Sequence, residues 1–133
     1  MRRNLVTAFL AVAGLLLATV GVFAHHSQSG EFDNSKPIEF TGTVKAILWT
    51  NPHGYVQVEA KDANGKTQLW RVEISAPNGL YRQGWRRDTL KPGMTVSFKG
   101  IHARDPQSDH LSGRLTVEGK PVFQGQGPAA DSN

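Results

Sequence analysis

From residue 38 onward, apolar and polar positions alternate in short runs separated by turn residues, a pattern that predicts strands. Over 38–49, Ile38, Phe40, Val44 and Leu48 share one phase, and Gly42 interrupts it as a bulge or tight bend would. Thr50-Asn51-Pro52 reads as a turn. Val56, Val58 and Ala60 share a phase over 53–60. Asp62-Ala63-Asn64-Gly65 is a hairpin turn, because Asn-Gly tolerates positive φ. Trp70, Val72 and Ile74 give a third strand over 67–74. The period then changes. Pro77 suits a first helical turn, with Ser75 or Ala76 at the cap and Gly84 as terminator, so a short helix is expected over 77–83 with Leu80 and Trp85 as inward anchors. A turn segment follows over 88–93. Met94, Val96 and Phe98 mark a fourth strand over 94–103. After a polar loop at 104–112, Leu115 and Val117 mark a fifth over 113–118, with a short closing segment at 121–123.

Three strands, one short helix and two further strands predict an all-β domain with one helix, specifically a five-stranded OB-like barrel. Another small barrel or a sandwich is the competing architecture. The domain is placed at 38–123, behind an extended polar arm at 25–37 and ahead of a disordered tail at 124–133. No internal repeat is present.

The first 24 residues read differently. Met1-Arg2-Arg3 is a basic start, Leu5 to Phe23 carries no charge, and Val22-Phe23-Ala24 has the small residues of a cleavage site. An uncleaved anchor is the competing reading, since an apolar run of this length can span a bilayer. With cleavage, the protein is expected in the periplasm, touching membrane only through the signal segment. The chain has 133 residues and no cysteine, so one domain must hold together by its core alone. Setting aside Arg2 and Arg3 leaves 13 basic and 11 acidic residues, a net of +2. That charge is too small to argue for a nucleic-acid partner.

A series of short motifs runs through the mature chain: His25-His26-Ser27, Glu31-Phe32-Asp33, Lys36-Pro37, Gly42-Thr43-Val44, Trp49-Thr50-Asn51-Pro52-His53, Ser75-Ala76-Pro77-Asn78, Gly84-Trp85, Arg87-Asp88 and Leu90-Lys91-Pro92-Gly93. With Trp70, this series resembles a family of small exported bacterial proteins catalogued as a domain of unknown function. Ala76 departs from that pattern, where proline is expected to follow serine directly. The resemblance implies a periplasmic protein with a barrel like that of the exported OB-fold stress proteins. It implies no activity.

Chemistry must therefore come from the residues. Cleavage after Ala24 would leave His25 first, and its α-amino group and imidazole can chelate one metal ion. A second imidazole completes a planar three-nitrogen set, a histidine brace, which favours Cu(II). The α-amino pKa is roughly 8, so a metal displaces its proton near neutral pH. Candidate metal ligands are His25, His26, His53 after the first interstrand loop, and His110 in the last one. His102 ends the fourth strand near that loop. Asp105 and Asp109 are candidate oxygen ligands or acceptors that orient an imidazole. The 13-residue arm spans on the order of 40 Å extended, so His25 can meet either loop. Against this stand plainer roles: a solvated start for His25 and His26, a turn-pinning side chain for His53, a barrel-end packing role for His102, and a loop residue for His110. A cut one residue to either side of Ala24 abolishes the brace.

Trp49 and Tyr55 form a second candidate, a platform for an envelope saccharide or peptide, with packing at the barrel end as the alternative. Trp49 runs opposite in phase to Val44 and Leu48 unless the register shifts. Arg82, Arg86, Arg87 and Asp88 cluster at the helix C-terminus, where basic groups complement the dipole. No nucleophile elbow, phosphate-cradling loop or metalloprotease pair is present. The expectation is a non-enzymatic binding module taking a metal ion, copper by preference, or else a small envelope ligand or a protein partner.

Overall fold

The computed structural model describes residues 28–125 and 127. The expected signal segment 1–24, His25, His26 and most of the tail lie outside the described residues. A single helical turn, Gln28–Glu31, leads directly into β1 (Phe32–Leu48). There follow β2 (Gly54–Lys61), β3 (Thr67–Ile74), a short helix (Pro77–Arg82), a 3-10 turn (Arg87–Thr89), β4 (Thr95–Ala103), β5 (His110–Val117) and β6 (Lys120–Val122). The protein is mostly an antiparallel sheet with one short helix. Strand order is β3-β2-β1-β4-β5-β6, and β5 also pairs with β3, in parallel.

Strand faces follow the period-two pattern where it is clean. Val56, Val58 and Ala60 on β2, and Trp70, Val72 and Ile74 on β3, are all buried. Val96, Phe98 and Leu115 close the same core from β4 and β5, and Leu80 and Trp85 cover it from the helical segment. Burying side chains of this size stabilises by about 1.5–3 kcal/mol each against exposure.

β1 departs from expectation at both ends. It begins at Phe32, inside the stretch expected to be a free arm. Phe32 is 2% exposed and sits opposite Ala103 of β4, and its ring supplies the reason: burial of a large apolar side chain outweighs the polar residues that follow it. The register irregularity falls between Val44 and Ala46, not at Gly42. The extra residue there flips the phase, so Ile47 is buried and Leu48 is 37% exposed. Gly42 serves another purpose: a Cβ there would lie 2.6 Å from the Glu59 carbonyl oxygen.

The helix keeps Pro77 in its first turn, but Ala76 provides no side-chain cap. It ends through backbone bonds from Gln83 and Gly84, with Gly84 at φ 93°. β5 starts at His110, three residues earlier than the alternation suggests, because parallel pairing to Arg71–Glu73 draws it in. At the other end, Trp85 Nε1 donates to the Gly125 carbonyl at 2.9 Å, and the Gly127 amide donates to Gln83 O at 2.6 Å. The start of the expected free tail is thus bonded to the helix end.

Candidate functional site

The outward face of β2, β3 and β5 carries a row of polar side chains, because the inward positions of these strands are all apolar. Cross-strand register aligns them: Tyr55 lies opposite Glu73, and Arg71 lies beside His110. Glu31 joins them from the turn before β1. Its position is fixed from both sides, by Phe32 in the core and by the Arg104 amide donating to Glu31 O at 2.8 Å.

Two carboxylate–imidazole pairs result. His110 Nδ1 lies 3.0 Å from Glu31 Oε1, and His53 Nδ1 lies 2.7 Å from Glu73 Oε1. Tyr55 stands between them. Its ring is 5.2 Å from the His110 ring. Burial first, and then the negative charges of Glu73 and Glu31, push its hydroxyl above the ordinary phenol value. His53 and His110 therefore flank one side chain on one face. The His110 Nε2 atom is buried and has no hydrogen-bond partner among the described residues. Such orphans are uncommon in folded proteins, because a desolvated polar atom without a partner costs about 1–3 kcal/mol.

The expected roles of the two aspartates change. Asp109 grips Arg71 through bonds of 2.6 to 2.9 Å. That hydrogen bonding, with the Arg71 charge, holds its carboxyl below the usual range. Asp105 accepts from the Gln107 amide at 2.9 Å and so caps its own loop. The carboxylates that meet imidazoles are Glu31, which the sequence marks only as part of the Glu31-Phe32-Asp33 motif, and Glu73; neither is an expected histidine partner. Glu73 had one visible sign, its outward phase between Val72 and Ile74.

His102 stands apart. It packs edge-on against Trp70 at 5.3 Å, and burial, followed by the Lys36 charge, lowers its pKa. That suits a packed neutral imidazole. Among the described residues no group of three or more histidine, cysteine, aspartate or glutamate side chains is arranged to hold a metal ion. The described part of the face thus offers separate imidazoles, not a complete donor set.

Trp49 and Tyr55 do not form one platform. Past the shifted register Trp49 turns toward the core and tilts against Phe123 at 5.6 Å, while Tyr55 faces outward. Trp49 instead lines a groove of about 680 Å³ on the far side of β1, with Tyr81, Arg86 and Arg87 on the opposite wall. Arg86 lies 4.0 Å over the Tyr81 ring and donates to the Tyr81 and Trp85 carbonyls, which is the helix C-terminal role expected of a basic residue there.

No curated protein and no solved structure matches the chain. A family model does match, over residues 12–112, which take in every strand through the start of β5. The chain belongs to that family, the family of unknown function DUF6152.

Proposed function

We propose that this is an exported periplasmic metal-binding module, taking copper through His25, His26 and the β2–β3–β5 face that carries His110 and His53. The fold reading beneath it is an OB-like barrel. It is supported by the β3–β5 rung, which joins two strands otherwise far apart in the sheet order, and by the helix between β3 and β4.

The observation that carries the functional reading is the condition of His110. One ring nitrogen is held by the Glu31 carboxylate, and the other is desolvated and lacks a partner among the described residues. Metal-ligating histidines have this arrangement: a carboxylate on one nitrogen fixes ring and tautomer, and the other nitrogen binds. The second support is covalent. Glu31 stands six residues after His25, a distance of chain that spans at most about 20 Å. A mature amino terminus at His25 is thus tethered within reach of His110, and within reach of His53 beyond Tyr55. The α-amino group and imidazole of His25, with His110 or His26 as third nitrogen donor, make a set that favours Cu(II).

The test is a copper titration of mature protein beginning at His25, read by electron paramagnetic resonance. A nitrogen-rich Cu(II) spectrum is expected. One extra residue ahead of His25 should abolish it, and His110→Ala should weaken it. If both amino termini bind alike, or neither binds, the proposal fails. The intact mass of the secreted protein fixes the first residue independently.

A further inference from the structure

The groove on the far side of β1 has a backbone edge as one wall. Over Ala46–Leu48, β1 pairs with β2 on one side. On its other side, pairing to β4 ends at Thr43 opposite Thr95, and Val44 makes the last contacts, to Met94 O and from the Gly93 amide. In an antiparallel ladder, alternate residues point their N–H and C=O groups away from the partner strand. Beyond Val44 those groups therefore face the groove, with no strand beside them among the described residues. Native proteins bulge, charge or cover such an edge, and this one carries the bulge at Val44–Ala46 and Lys45 but no covering strand among the described residues.

The rest of the groove has a consistent character. Tyr81, 60% exposed, and Leu48 supply apolar surface. The rim is basic: Arg86, Arg87, Lys91 and Lys45, against Asp88 alone. Arg86 is held in place by two carbonyls and the Tyr81 ring, and Lys45 reaches Glu59 at 3.5 Å. Arg87 and Lys91 form no ion pair among the described residues.

We propose that this groove docks an extended acidic segment of a partner protein, added as a strand to the open edge of β1. Strand addition takes affinity from the main chain and selectivity from every second side chain. Here alternate apolar side chains would pack on Tyr81 and Leu48, and the acidic ones between them would meet Arg87 and Lys91. The groove adjoins the histidine face where Leu48 pairs with Tyr55, but neither histidine lines it, so the two proposals rest on different residues.

The test uses a fluorescein-labelled nonapeptide that alternates glutamate with valine, titrated into the mature protein and followed by fluorescence anisotropy and amide NMR shifts. Saturable binding is expected, with shifts concentrated on residues 45–49. Arg87→Glu with Lys91→Glu should weaken it about tenfold while leaving the unfolding midpoint unchanged. The proposal is overturned by absent binding, by equal binding of a lysine-for-glutamate peptide, or by equal binding of a peptide N-methylated along the pairing edge. It is also overturned if Lys91→Glu converts a dimer to a monomer, which would make a second copy the occupant. The same holds if binding appears only after residues 128–133 are removed, which would make the chain's own terminus the occupant.

Discussion

Gly100 and Gly113 face each other across the β4–β5 ladder, and their replacement gives the sharpest test of how this sheet is built. A Cβ at Gly113 would lie 2.4 Å from Lys99 O, 2.5 Å from Gly100 Cα and 2.9 Å from Phe98 Cζ. A Cβ at Gly100 would lie 2.2 Å from Ser112 O and 2.5 Å from Phe98 Cζ. Most of these neighbours are backbone and cannot rotate away, and Phe98 is 1% exposed and has nowhere to go. Gly113→Ala must therefore part the two strands or displace the ring. Overpacking of this kind costs about 1–3 kcal/mol, and rigid obstacles place this site near 3. Gly79 is the internal control. It lies in the helix with nothing within 4 Å of its Cβ position, so the same substitution should stabilise by about 0.5–1 kcal/mol. Urea unfolding at constant slope measures both. The double variant Gly100→Ala with Gly113→Ala should cost less than the two singles together, since one strand separation relieves both clashes. The argument is refuted if Gly113→Ala stays within about 0.5 kcal/mol of the parent protein, or if the two single costs simply add.

Other outcomes follow from the same contacts. Glu31→Gln should lower copper affinity about 10- to 100-fold if Glu31 orients a ligating His110, as competition titration would show. Its effect on stability should stay within about 1 kcal/mol, because the pair is partly exposed. The carboxyl of Asp109 is depressed by Arg71, so its contribution is present above the ordinary value of 3.8 and fades as pH falls through the lower folded value. Asp109→Asn should thus destabilise by about 1 kcal/mol at neutral pH and narrow its gap to the parent in acid, measured by urea midpoints. Trp85→Phe removes the bond to Gly125 and should cost about 1–2 kcal/mol while making the C-terminal segment easier to clip by protease.

Much of the strand plan was legible because burial and alternation coincide in it. Val56 and Val58, Val72 and Ile74, Val96 and Phe98 all declare their face by spacing alone. The failures share one cause, dependence on partners distant in sequence. Nothing local marks Lys45 as the place where β1 changes phase; opposition to β2 decides it. Phe32 sits among polar residues, and only Ala103 opposite makes it a core position. The candidate site was legible in part. His53 and His110 stand out by residue type, but Glu31 and Glu73 become their neighbours only through register, with Glu31 and His110 separated by 79 positions. Asp109 looked equally suited to a histidine until Arg71 was brought beside it by the parallel pairing.

That parallel pairing has one more consequence. It is a short seam, with three residue pairs against eight between β2 and β3. His53, Tyr55 and Glu73 lie on one bank of it, and His110 lies on the other. Opening a three-rung seam exposes fewer backbone bonds than opening any long ladder, so amide protection should fail there before it fails in the long ladders. A ligand gripping both imidazoles would act as a clasp across the two banks. It would hold the molecule shut with a free energy that grows with the logarithm of its concentration above Kd.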